Sequence, residues 1–156
     1  MKYRKIEVDE ININKKLELN LIQIAKWHNQ TPKLWIPNHK VSGADIDETV
    51  ERIKNTKAED LFIAIAEDDQ DNIQGFIWAF KQEEPQDSVM ILSLYVSESY
   101  RHNGVGTNLK LLLEEWCRLE GVKTIQTTVN YKNNSMLMLN QKLGYIPGMV
   151  YMTKTL

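Results

Sequence analysis

The segment Arg101-His102-Asn103-Gly104-Val105-Gly106-Thr107 constrains the fold of this chain more than any other. It stands where an apolar run, Val89 to Val96, gives way to an amphipathic pattern, so it reads as a strand feeding a helix through a glycine-marked turn. Such a turn is a candidate phosphate cradle. Gly104 and Gly106 let the backbone approach a ligand with no Cβ between, and the helix start behind them offers unpaired N–H groups and a positive dipole end. Arg101 adds a forked, permanently charged donor. The Walker pattern needs a Gly-Lys-Ser/Thr ending and the dinucleotide fingerprint needs three spaced glycines with a later acidic residue; neither is present. An ATP site would therefore lack both its lysine and its magnesium ligand.

Periodicity orders the rest of the chain. Tyr3 to Val8 reads as a first strand, followed by a helix from about Asn14 to Trp27 with Leu17, Leu21, Ile24 and Trp27 on one face. Residues 28–43, with two prolines, Trp35 and His39, read as a loop, and Asp45 to Lys57 as a helix with Ile46, Val50 and Ile53 inward. Leu61 to Ala66 and Ile73 to Phe80 are strands joined by the acidic turn at residues 67–72, and the continuous apolar run Val89 to Val96 is a central strand. In the helix after the glycines, Val105, Leu109, Leu112, Trp116 and Leu119 step by four and three, with Lys110, Glu114 and Arg118 facing away. Gly121 ends it, Val122 to Val129 is a strand, and Asn133 or Asn134 caps a shorter helix carrying Met136, Leu139 and Leu143 up to Gly144. Tyr145 to Thr155 reads as a closing hairpin.

Composition narrows the function classes. A chain of 156 residues with 42% hydrophobic and 26% charged residues fits one domain spanning 1–156. A formal net charge of −2 leaves no nucleic-acid footprint. No stretch approaches the roughly 18 apolar residues of a membrane span, and the basic amino terminus has no apolar run behind it, so a cytoplasmic protein is expected. The single cysteine, Cys117 beside Trp116, reads as packing, and no metal site is expected. The Asn-x-Ser/Thr triplets at Asn29 and Asn133 carry no weight without an export signal.

The cradle, with Leu94-Tyr95-Val96 ahead of it and five positions from Val96 to Arg101, resembles the acetyl-CoA signature of the GNAT-superfamily N-acetyltransferases, Arg/Gln-x-x-Gly-x-Gly/Ala. A second segment, residues 133–145, aligns without gaps on that family's Asn-x-x-Ala-x-x-Leu-Tyr-x-x-Leu-Gly-Phe pattern. The resemblance implies an α+β fold, a central mixed, mostly antiparallel sheet of six to seven strands flanked by four helices. It implies that acetyl-CoA lies where the fourth and fifth strands splay apart, against the main chain of Leu94, Tyr95 and Val96. Leu94 N–H would act as the oxyanion donor, a group whose loss costs about 3–4 kcal/mol elsewhere. The pyrophosphate would rest on Arg101, His102, Asn103, Gly104, Val105, Gly106 and Thr107, and Asn133 would also touch the cofactor.

Two positions depart from the family pattern. Asn140 stands where the family commonly has a tyrosine that protonates the departing thiolate, and Met90 where many members have a glutamate base. A thiol near pKa 8.5 lies about 1.5 units from neutrality and an alkylammonium near 10.4 over 3 units, so the base is the larger loss. His28, His39, Glu67 or a water chain stand as replacements, or a low-pKa amine needs none, and nothing in the sequence selects among them. The loop between the first two helices and the last strands set acceptor choice in the family, which here means Trp27, His28, Trp35 and His39 on one side and Tyr145 to Tyr151 on the other, with Trp27 and Trp35 as candidate walls of the acceptor pocket. The resemblance thus implies transfer of an acetyl group from acetyl-CoA to a primary amine of a small molecule or peptide by direct attack. The alternative, motivated by Asn140 and Met90, is a catalytically weak acyl-CoA-binding sensor of the same fold. Homodimers are common in the family, and the terminal strands offer edges for them.

Overall fold

A computed structural model describes residues 1–11 and 13–156. Its strands are β1 (Lys2–Lys5), β2 (Leu61–Glu67), β3 (Ile73–Lys81), β4 (Ser88–Val96) and β5 (Thr124–Thr127). Its α-helices are α1 (Val8–Ile11), α2 (Lys15–Gln30), α3 (Gly43–Asn55), α4 (Val105–Leu119) and α5 (Asn134–Lys142). Single turns of tighter helix at Thr31–Leu34 and Glu98–Tyr100 follow α2 and β4.

Helix starts follow local side-chain chemistry. The Asn14 side chain accepts from the N–H groups of Lys16 and Leu17 at 3.0 and 3.4 Å. Ser42 and Asp45 form a reciprocal capping box at α3: Asp45 N–H donates to Ser42 Oγ at 3.2 Å, and Ser42 N–H donates back to the Asp45 carboxylate at 2.7 Å. Pro32, tolerated in a first turn, starts the short helix after α2.

The strands lie in the order β1-β2-β3-β4-β5, antiparallel through β4, with β5 parallel to β4. β2 is buried throughout, and its alternate side chains enter two cores. Ile63 and Ile65, with Phe76 and Trp78 of β3, pack under α2 and α3; Phe62 and Ala64, with Ile77, Ala79, Val89 and Ile91, pack under α4. Between Trp78 paired with Ser93 and Ala79 paired with Ile91, Leu92 is an extra residue, a β-bulge in the middle of β4. The β4–β5 ladder ends at Ile91 and Thr127, whereas the β3–β4 ladder continues to Gly75 and Val96. Among the described residues, β4 therefore has a strand neighbour on one side only from the bulge onward.

Four expectations need correction. The sheet has five strands among the described residues rather than six or seven, because 145–156 forms no strand. Pro147 removes a ladder donor and Gly148 adds backbone freedom in the middle of that segment, and its apolar side chains at Ile146, Met149, Tyr151 and Met152 stand exposed. Val122 lies before β5, which starts at Thr124, and its N–H closes the end of α4 by donating to Cys117 O at 2.9 Å. Five α-helices replace four, because residues 8–11 turn rather than extend β1. The buried line of α4 runs Val105, Leu109, Leu113, Cys117, and Leu119 is 81% exposed. Lys110, expected to face away, is 1% exposed.

Candidate active site

The strand-to-helix turn is a set of free donors. Arg101 N–H donates to Glu98 O at 3.2 Å and Asn108 N–H to Gly104 O at 3.0 Å; among the described residues the amides of 102–107 between them meet no backbone acceptor. Gly104 sits at the N-cap of α4 with φ 77°, and among the described residues no side chain caps the helix there. The orphaned donors and the dipole end thus face outward together. Gly106 is different: it lies inside α4 against α5 and β4, and a Cβ there would meet Leu139 at 3.4 Å and Leu94 and Val96 at 3.9 Å, ordinary packing distances. His102 also holds a positive φ of 64°, which bends the chain into the cradle.

Arg101 is tied to the strand it follows. Its Nε donates to Val96 O at 2.9 Å, and its guanidinium lies 5.7 Å from the centre of the Tyr95 ring, leaving the terminal nitrogens for an anion. Ser97 N–H donates to Gln74 O of the β3 side at 2.8 Å. Alternate residues of an antiparallel strand turn their polar groups to opposite neighbours. Leu94 and Val96 therefore aim their N–H and C=O groups to the side that β5 has left.

A cavity of about 320 Å³ opens at this splay. Leu92, Ser93 and Leu94 line it from β4, Thr128 from the end of β5, and Asn133 and Met136 from α5. Thr31, Trp35 and Ile36 close it on the α2 side, and Lys110 lines it from α4. Asn133 also caps α5, accepting from Met136 N–H at 3.2 Å. Lys110 is the only titratable residue on this wall among the described residues. Burial lowers its pKa to about 8 against the opposing pull of Glu114, and its Nζ lies 4.2 Å from the centre of the Tyr145 ring.

The other expected residues divide. Trp35 is on the cavity wall, but Trp27 is not: it stacks on Tyr95 at 4.6 Å and on Phe76 at 6.1 Å, and borders a separate open depression beside Asn20 and Gln23. Asn140 is buried and does not line the cavity, its Oδ1 without a partner among the described residues and its backbone O accepting from Tyr145 N–H at 2.9 Å. Met90 pairs with Phe80 and Gln126 inside the sheet, before the splay. None of the three expected replacement bases lines the cavity. His28 packs edge-on to Trp78 at 5.1 Å, its pKa lowered by burial and then by Arg52; His39 Nε2 is 2.9 Å from Asn29 O; Glu67 is buried against Arg4 at 3.1 Å. Burial pushes the Cys117 thiol up to about 11, which suits a packing role.

Lys110 is the wall residue that sequence reasoning misses. A signal for it exists: Gly106, Lys110, Leu113 and Cys117 step by four, three and four, a helical line as regular as the one that starts at Val105.

The sheet is thus opened between a bulged β4 and a short parallel β5, with a glycine helix start following β4. The model of the acetyltransferase (GNAT) family matches residues 22–145, and the chain belongs to that family. It is a GNAT-family acetyltransferase. No curated relative matches the sequence. Among solved structures, a candidate GNAT acetyltransferase from Staphylococcus aureus is 28% identical, with a TM-score of 0.67 over 82% of this chain and 100% of its own. AAC(6')-Iy, in complex with the bisubstrate analogue CoA-S-monomethyl-acetylneamine, is 20% identical (TM-score 0.66, 99% and 98% covered). A candidate acetyltransferase from Pyrococcus furiosus is 18% identical (TM-score 0.70, 99% and 100% covered). The last two likenesses show the fold alone. No described helix is long and apolar enough to cross a membrane.

Proposed function

We propose that this protein transfers the acetyl group of acetyl-CoA to a primary amine of a small molecule or peptide by direct attack of that amine. The observation that carries the reading is the early end of the β5 ladder, which leaves Leu94 and Val96 without a strand partner on that side, with Leu94 on the cavity wall and β4 running on to the uncapped start of α4. Acetyl-CoA supplies an acetyl group activated as a thioester; every other contribution comes from the chain. The amides of 102–107 and the free end of Arg101 hold the pyrophosphate, and Val96 N–H holds the pantetheine arm. Leu94 N–H faces the thioester oxygen, where negative charge develops as the amine attacks. Asn133 borders the same passage, and Trp35 and Thr31 receive the acceptor from the α2 side.

Positioning of the reactants and a fixed backbone donor supply most of the acceleration in acyl transfer, so the scaffold supports catalysis without the usual glutamate and tyrosine. The test is release of free CoA from acetyl-CoA across a panel of small amines, amino sugars and amino-terminal peptides. Amine-dependent release with sequential kinetics is expected. Ping-pong kinetics or an acetyl group on Cys117 would refute direct attack. Saturable acetyl-CoA binding with no release for any amine would favour the sensor reading.

A further inference from the structure

We propose that Lys110 is the proton donor to the departing CoA thiolate, taking the place that the Asn140 position leaves vacant. The inference rests on the acetyl-CoA reading above.

A lysine buried to 1% exposure, with no carboxylate partner among the described residues, is costly and calls for a reason. The nearest help comes from the Tyr145 ring face at 4.2 Å. The charge that reaches it is Glu114, one turn on along α4, whose carboxylate is held by Arg118 at 3.0 Å. From the carboxyl-terminal side Tyr145 is the titratable group facing it, and burial drives that phenol up to about 12, so it stays neutral. Among the described residues Lys110 is thus the one cation lining the cavity, on the same wall as Leu94 and Ser93.

Its side of the sheet decides its role. α4 carries both the cradle and Lys110 and packs on the core face of Phe62, Ile77 and Val89. Thr31 and Trp35 follow α2, which packs on the opposite face with Ile63 and Phe76. The acceptor enters from the α2 side, and the leaving group is held on the α4 side with Lys110. When the tetrahedral adduct collapses, the carbon–sulfur bond breaks and its electron pair goes to sulfur. A proton passes from Lys110 Nζ to that sulfur, giving free CoA thiol and a neutral lysine. The proton lost from the acetylated nitrogen goes to solvent, and solvent restores the Lys110 ammonium. A lysine at about 8 and a thiol near 8.5 make this transfer close to even in free energy.

The experiment uses CoA itself and needs no acceptor. The thiol of CoA bound to the wild-type protein, to Lys110→Met and to Lys110→Gln is titrated by its ultraviolet thiolate absorbance. Binding of desulfo-CoA, which lacks the sulfur, is measured beside it. In the wild-type complex the thiolate should form at a pH at least about one unit lower than in either variant, with desulfo-CoA affinity unchanged among the three. Identical thiol titrations overturn the proposal and leave the cofactor site intact. Equal weakening of CoA and desulfo-CoA in the variants also overturns it, and makes Lys110 a residue that holds the cofactor arm. Failure of the wild-type protein to bind CoA at all removes the acetyl-CoA reading first, and this proposal with it.

Discussion

Replacing Lys110 with methionine should stabilise the folded protein at neutral pH, by an amount that disappears in alkali. Burial lowers the pKa of Lys110 from 10.5 to about 8, a difference of about 2.5 units. At about 1.4 kcal/mol per unit, the unfolded chain holds this proton more firmly by roughly 3 kcal/mol. Because the folded state binds fewer protons between those two values, its stability from this group rises with pH across about 8 to about 10.5. The penalty is full below that window and gone above it. Methionine has a similar length, no charge and a tolerance for irregular packing, so it keeps the volume and removes the penalty. Urea unfolding of both proteins near pH 7 and near pH 10 reads the effect, and the difference between them cancels the opposite trends of Cys117 and Tyr145. The variant should be about 2–3 kcal/mol more stable near neutrality, worth about 2–4 °C per kcal/mol in a domain of this size, with a gap closing toward zero in alkali. A variant no more stable than wild type near neutrality, or a gap independent of pH, would refute the reasoning that a charged lysine is carried in the interior.

Three further outcomes are expected. Gly104→Ala places a Cβ at φ 77° and should cost roughly 1–2 kcal/mol, whereas Gly106→Ala, inside α4 with room at 3.4 Å from Leu139, should be near neutral because alanine regains about 1 kcal/mol of helix propensity. Thermal unfolding with the reverse order would mean that α4 does not start at Gly104. With its thiol pushed up to about 11, Cys117 should react slowly with iodoacetamide near neutral pH and faster as pH rises, and Cys117→Ala should leave turnover unchanged; rapid alkylation with loss of activity would contradict a packing role. Arg101→Ala should weaken acetyl-CoA binding in calorimetry roughly tenfold or more, from loss of a charged hydrogen-bond donor worth about 1.5–3 kcal/mol. Arg101→Lys should not restore it, since the Nε bond to Val96 O is lost in both; full rescue by lysine would reduce Arg101 to a point charge.

The parts of this structure written in local chemistry are legible in the sequence. The β4–turn–α4 unit follows from an apolar run meeting a glycine-marked helix start, and Asn14, Ser42 and Asn133 cap the helices they precede. What the sequence hides depends on partners distant in the chain. The splay depends on where β5 stops pairing, and Val122 is drawn away from that strand by Cys117 O of the preceding helix. The segment after Gly144 is apolar enough to read as strand, yet Pro147 and Gly148 deny it a regular ladder. Trp27, at the expected end of the helix, and Trp35, in the loop, are both candidate pocket walls by sequence, but α2 continues to Gln30 and carries Trp27 onto Tyr95, so of the two only Trp35 lines the cavity. Lys110 is hidden by its charge: hydrophobic periodicity sends a lysine outward, and only the meeting of α4 with the Tyr145 segment shows it turned in.

The central claim is that the uncapped start of α4 and the opened edge of β4 form an acetyl-CoA site. Calorimetric titration of the purified protein with acetyl-CoA, beside Gly104→Glu, tests it most directly, because it requires no knowledge of the acceptor. The account predicts saturable binding by the wild-type protein at micromolar concentrations, and its loss in Gly104→Glu, whose carboxylate faces the pyrophosphate across the same amides. Absence of binding to the wild-type protein at millimolar acetyl-CoA, or equal binding by both proteins, would contradict it.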